Sequence, residues 1–246
     1  MKNVKSSLLA LLVLGGASHL TAQGGFNSPY VPVSMDQTEE AVFPQSLVGL
    51  GIRSGAASIA IAVDDKGQLT DYLVTAYSHP AFAESAVAAL KKWKFEPAQI
   101  HGYARNSKAD LTFKFQVEGV VVVSVSALSG AEIIEYKLAP LSQAYAACTL
   151  AELDRIPTPN KIVNPVYPPQ VARSSRGGRV SVQFYIDEQG HVRMPSVSSA
   201  QVEENEELAA IAVGAVSQWQ FDPPLRRGRP VLVRAEQVFT FDPPAP

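Results

Sequence analysis

The sequence predicts an α+β fold: two small domains, each a three-stranded antiparallel sheet with one helix packed across it. Three observations lead there. An aromatic-x-aromatic-acid-Pro element occurs twice, WKFEP at Trp93–Pro97 and WQFDP at Trp219–Pro223, 126 positions apart. A helical stripe of apolar residues precedes each element. Alternating stretches and Gly-containing turns flank each one, as strands and hairpins do.

The helices come first. Leu208, Ile211, Ala212, Ala215, Val216 and Trp219 fall at i, i+3, i+4, i+7, i+8 and i+11, one face of an amphipathic helix. The matching positions before Trp93 are Phe82, Ser85, Ala86, Ala89 and Leu90, and only Ser85 interrupts the stripe. Trp93 and Phe95 are two apart, as are Trp219 and Phe221, so in extended chain each pair points to one face and closes the core. Pro97 and Pro223 forbid further helix. A turn with Gly102 or Gly228 follows, leading into Asp110–Val117 in copy one and Pro230–Phe241 in copy two.

Upstream, SIAIAVD (Ser58–Asp64) and VSVQFYID (Val180–Asp187) alternate as strands. Asp64-Asp65-Lys66-Gly67 and Asp187-Glu188-Gln189-Gly190 then turn the chain into Leu69–Ala76 and His191–Ser198. The adjacent carboxylates in these turns favour the turn itself rather than catalysis. Phe43-Pro44 and Tyr167-Pro168 stand at the start of each unit. The expected organisation is a signal peptide at 1–22, a linker at 23–42, copy one at 43–118, a connecting segment at 119–160 and copy two at 161–243. Within the connection, Val120–Val125 is apolar enough to extend the sheet of copy one, and Leu141–Leu153 suggests a short helix.

Composition bounds the function. Of 246 residues, 46% are hydrophobic and 18% charged, which supports a packed core. The net charge of −2 gives no basic excess for nucleic acid. Lys2 and Lys5 precede an apolar run, Leu8–Ala17, and Leu20-Thr21-Ala22 reads as a cleavage site before Gln23. That run is far shorter than the about 20 residues of a membrane span. Export to the periplasm with cleavage is therefore expected; an uncleaved anchor in the inner membrane, facing the periplasm, is the alternative. Cys148 has no partner for a disulfide and reads as a buried, inert thiol. His79, His101 and His191 are dispersed in turn-like settings, so no metal site is expected. No phosphate loop or nucleophile elbow is present, so no enzyme, no cofactor and no small-molecule substrate is expected.

Taken in order, several motifs of copy two carry a resemblance. They are Tyr167-Pro168, the Asp187-x-x-Gly190 hairpin, Trp219-x-Phe221-x-Pro223, Gly228-x-Pro230-Val231 and Phe239-x-Phe241. This copy resembles the C-terminal domain of the TonB energy transducers. Copy one is a degenerate second match, with Phe43-Pro44 for Tyr-Pro and Gly102-Tyr103-Ala104-Arg105 at the turn. The resemblance implies binding of an outer-membrane receptor or another envelope protein, whose short segment adds as a strand to the edge of the last strand. Carried over, the edge is Val231–Phe241 and a second contact region lies at Asn164–Pro168. The candidate partner-binding residues are Asn164, Tyr167, Pro168, Val231, Val233, Arg234, Val238 and Thr240. Trp93, Phe95, Trp219, Phe221, Phe239 and Phe241 are the core signature.

Two departures from a transducer stand out. The N-terminal apolar run is short, and Gln23–Val42 carries only Pro29 and Pro32 where a transducer has a long Pro-rich spacer. Three readings follow: an exported interaction module, an anchored transducer, or a structural tandem whose copies pair and leave no edge open. Exposed edges also invite a homodimer.

Overall fold

In the computed structural model, the described residues are 30–117, 119–127, 144–166, 178–197 and 199–241. Both hairpin signals fold as hairpins. In copy one, β1 (Ser54–Val63) pairs antiparallel with β2 (Leu69–Tyr77) on one side and β3 (Ser107–Gln116) on the other. The helix α1 (Pro80–Leu90) crosses one face, with Pro80 opening its first turn and His79 Nδ1 accepting from the Ala81 N–H at 3.2 Å. Ala109, Leu111, Phe113 and Phe115 alternate along β3 into the core under α1, where Phe82 packs 4.9 Å from Phe115 and 5.5 Å from Phe43. The interruption at Ser85 has a use: its hydroxyl donates to the Val42 carbonyl and ties the helix to the incoming chain.

The connecting segment adds strands to both copies. The strand β4 (Gly119–Ala127) pairs antiparallel along β3, from Gln116↔Gly119 to Ala109↔Ala127. Two short strands, β5 (Tyr145–Ala146) and β6 (Cys148–Thr149), then join different sheets.

Copy two repeats the plan. The strand β7 (Gly178–Ile186) sits between β8 (Val192–Ser196) and β9 (Val233–Phe241), with α2 (Ser199–Val216) across one face. Val180, Val182, Phe184 and Ile186 of β7 meet Leu208, Ala212 and Val216 of α2 in a second core.

The expected three-stranded sheets are thus only the centres of larger ones. The sheet of copy one has the order β5-β2-β1-β3-β4, and that of copy two β6-β9-β7-β8. The extra strands come from the connection, where backbone pairing overrides the apolar spacing that suggested a helix at Leu141–Leu153. The Ala147 N–H donates to Thr75 O at 2.7 Å and the Cys148 N–H to Leu232 O at 2.8 Å. Residues 141–143 of that stretch lie outside the described residues; among 144–153, only Leu150–Glu152 coils, as one 3-10 turn closed by a Thr149/Glu152 capping box. Of the segment 23–42, expected as a linker, Tyr30–Val31 and Ser34–Gln37 are strand-paired, and Val33 and Ala41 are buried in the core of copy one.

Candidate functional site

The duplicated motif is a lock between distant parts of each copy. The Trp93 indole N–H donates to Glu39 O at 2.8 Å, and the Trp219 indole N–H to Val163 O at 2.8 Å. In both copies the chain so captured is an incoming strand paired to the motif: Ser34–Gln37 with Lys94–Glu96, and Pro159–Lys161 with Gln220–Phe221. The hairpin glycines complete the lock. A Cβ on Gly67 would lie 2.0 Å from the Phe95 carbonyl oxygen, and one on Gly190 would lie 2.0 Å from that of Phe221. Both glycines also have positive φ, +77° and +86°. The hairpin acids serve the turns, as their position suggests. Asp64 Oδ1 accepts from the N–H groups of Lys66 and Gln68, and Asp187 Oδ1 from those of Gln189 and His191.

The second repeated turn is built alike. His101-Gly102 and Arg227-Gly228 all have positive φ, the pairing that a type I′ hairpin requires. In copy two the connection holds this turn: the two carboxylate oxygens of Asp154 accept from the N–H groups of Arg227 and Gly228 at 2.7 Å each. These hydrogen bonds keep the Asp154 carboxyl below its usual range.

The last strands differ at their outer edges. In copy one β4 covers β3 from Ala109 to Gln116. In copy two β6 covers β9 only at Val233 and Arg234, in parallel. Among the described residues, no strand pairs with the outer side of β9 from Ala235 to Thr240. Shifted by 126 positions, Ala235–Thr240 corresponds to Ala109–Lys114, a stretch that β4 covers in copy one.

The expected contact residues fall in different settings. Asn164 is exposed; Tyr167 and Pro168 lie outside the described residues. Val231 is half-buried and its N–H donates to Pro224 O at 3.0 Å. Val233 is buried in the core of copy two. Arg234 donates from Nη2 to the Tyr185 hydroxyl at 3.1 Å, with its guanidinium 5.6 Å from the Tyr185 ring centre. Val238 and Thr240 are exposed on β9. Trp93, Phe95 and Phe241 are buried, while Trp219, Phe221 and Phe239 are half-buried. Phe239 stands edge-on to Trp219 at 5.8 Å.

A joint between the copies was not legible from the motifs. The sheet faces turned away from the helices meet, burying Ala60 of copy one with Tyr185, Met194 and Leu232 of copy two. A bulge in β8, where Met194 and Pro195 together oppose Phe184, re-aims Met194. Polar contacts flank this patch. Arg193 donates to both carboxylate oxygens of Asp71 and lies 3.8 Å from Asp187. Arg105 pairs with Glu206 at 2.8 Å. Lys108 and Asp110 are half-buried at this joint, with the Lys108 Nζ itself enclosed. Burial pulls the Lys108 ammonium down to about 7, against the opposing pull of Asp71 and Asp110. Burial also raises the Asp110 carboxyl, while Arg234 and Lys108 oppose that rise. One signal was present in the sequence: Ala60 and Ala62 occupy the face of β1 where a solvated strand would carry polar residues.

Two repeated sheet-and-helix units, each holding an incoming strand and one of them leaving a backbone edge, fit an interaction domain. Residues 39–117 and 163–243 both match the family described as Gram-negative bacterial TonB protein C-terminal. The matches span more than half of the chain, and the protein belongs to that family. Its domains are non-enzymatic, periplasmic, and linked to TonB-dependent energy transduction to outer-membrane receptors. A search of curated proteins gave no match. Among the described residues, no helix is long and apolar enough to cross a membrane. The segment Leu8–Ala17 lies outside those residues.

Proposed function

We propose that this protein is an exported periplasmic binding module in which copy two captures an extended segment of an outer-membrane receptor, or of another envelope protein, along β9. The observation that carries this reading is the contrast between the two last strands. Copy one has its outer edge covered by its own β4, whereas Ala235–Thr240 of copy two presents backbone groups with no strand against them among the described residues. An open edge pairs readily with an extended chain, and the outward residues Val238 and Thr240 then select the partner's side chains. Copy one serves as the support for copy two, joined through the buried face contact and the short strands β5 and β6.

The test is an NMR titration of the isotope-labelled mature chain with a synthetic peptide of a receptor's N-terminal segment. Amide shifts concentrated on Ala235–Thr240 are expected. Of the substitutions Gln237→Pro and Val238→Pro, one removes an N–H that faces β7 and the other an N–H that faces the partner. The second should abolish peptide binding while leaving the fold intact. Binding that persists in both variants, or shifts centred on copy one, would sink the proposal.

A further inference from the structure

A cavity of about 660 Å³ lies at the joint between the copies, away from the edge of β9. Copy one contributes Arg105, Ser107 and Lys108 to its lining, and copy two contributes Met194, Glu206 and Val213. Its volume falls in the range of sites for small organic ligands. Buried polar side-chain atoms nearly always have a hydrogen-bond partner. Among the described residues, three such atoms have none: Arg105 Nε, Ser107 Oγ and Lys108 Nζ. All three belong to residues that line this one cavity. Each can donate, and two belong to cationic side chains.

The acids around the cavity are largely engaged. Asp71 is taken by Arg193, Glu206 by Arg105 through Nη2, and Asp64 by its own turn. Asp65 also lines the cavity, so the negative side chains outnumber the cations there. That excess disfavours a dianion such as phosphate, whereas Lys108, whose Nζ has no hydrogen-bond partner, can take a single carboxylate. The rest of the lining, with Ile100, Met194 and Val213, suits an apolar body.

We infer that the cleft between the two copies is a binding site for a small organic monocarboxylate with an apolar tail, its carboxylate accepting from Lys108 and its neighbours on the same stretch of chain. Burial also makes the ammonium easy to deprotonate, and a bound carboxylate would restore its proton. Because both copies line the cleft, an occupied site holds them in one orientation.

Calorimetric titration of the mature chain with hexanoate, hexan-1-ol and inorganic phosphate tests this. Saturable binding is expected for hexanoate, with the alcohol and phosphate at least about ten-fold weaker, the loss typical of a missing charge-assisted hydrogen bond. Lys108→Met keeps the aliphatic stem and should weaken hexanoate about ten-fold without lowering the unfolding midpoint. Val213→Trp, which fills the cleft from α2, should block hexanoate while leaving Lys108 in place. In lysine-labelled protein, hexanoate should raise the titration midpoint of Lys108. No saturable binding, equal binding of acid and alcohol, preference for phosphate, or undiminished binding by both variants would each overturn the assignment.

Discussion

Replacing Gly190 by alanine probes the lock between hairpin and motif. Two costs are expected. A residue other than glycine at φ +86° carries a left-handed backbone penalty of about 1–2 kcal/mol. The new Cβ would also sit 2.0 Å from the Phe221 carbonyl oxygen, and that atom is backbone, so the overlap is relieved only by moving the motif. Overpacking of this kind costs about 1–3 kcal/mol. The Phe221 N–H, which donates to Gly190 O at 2.9 Å, would be strained by the same shift. The total is about 2–5 kcal/mol, a large share of the about 5–15 kcal/mol that holds a typical domain. Gly228→Ala is the control. Its φ is +72°, but nothing lies within 4 Å of its Cβ position, so it carries the backbone penalty alone. Urea unfolding of the three proteins should order the midpoints wild type, Gly228→Ala, Gly190→Ala. If the two substitutions cost the same, close approach of the Phe221 carbonyl does not explain the glycine.

Three further outcomes are expected. Trp219→Phe removes the donor to Val163 O and should cost about 1–3 kcal/mol, visible in thermal unfolding together with loss of amide-exchange protection at Asn160 and Lys161. A double-mutant cycle of Asp71→Asn and Arg193→Met should give a coupling energy of about 0.5–3 kcal/mol, because the pair joins the two copies; a value near zero would mean that the joint does not rely on it. Stability should also depend on pH through Lys108. Its folded pKa of about 7 lies below the unfolded value of about 10.4, so between those values the unfolded chain holds the extra proton and stability rises with pH. At about 1.36 kcal/mol per unit the rise is at most about 5 kcal/mol. In Lys108→Met that slope should vanish, as chemical denaturation at a series of pH values would show.

The parts of the fold that repeat were legible because repetition doubles every local signal. Trp93 and Trp219, the hairpin glycines and the alternating strands each appear twice in the same order and at nearly the same spacing, so helix, hairpin and last strand could be set in order from residue types alone. The sequence did not reveal what the tryptophans hold. An indole N–H bonded to a carbonyl 54 or 56 residues away leaves no periodic trace. The short strands β5 and β6 were hidden for a related reason. Their pairing depends on carbonyls of Thr75 and Leu232, while their own residues look helical. At the candidate edge, the position of β9 followed from the final alternating stretch. Its partial cover by Cys148 and Thr149 is a long-range pairing that no local pattern encodes. The joint was hidden as well, because Asp71, Arg105, Lys108 and Arg193 sit on strand faces where charged residues ordinarily meet solvent.

The strands β5 and β6 are separated by Ala147 alone, and one is hydrogen-bonded to the sheet of copy one, the other to that of copy two. A single extended residue spans only about 3.3–3.6 Å, so this tether has no slack to take up. Tension applied to β9 therefore passes through the hydrogen bonds of β6, the covalent link at Ala147 and the hydrogen bonds of β5 into β2. β6 runs parallel to β9, so its hydrogen bonds meet a pull along the strand in shear and share the load instead of opening one after another. In mechanical terms the two copies form a stiff coupling rather than a pair of hinged beads.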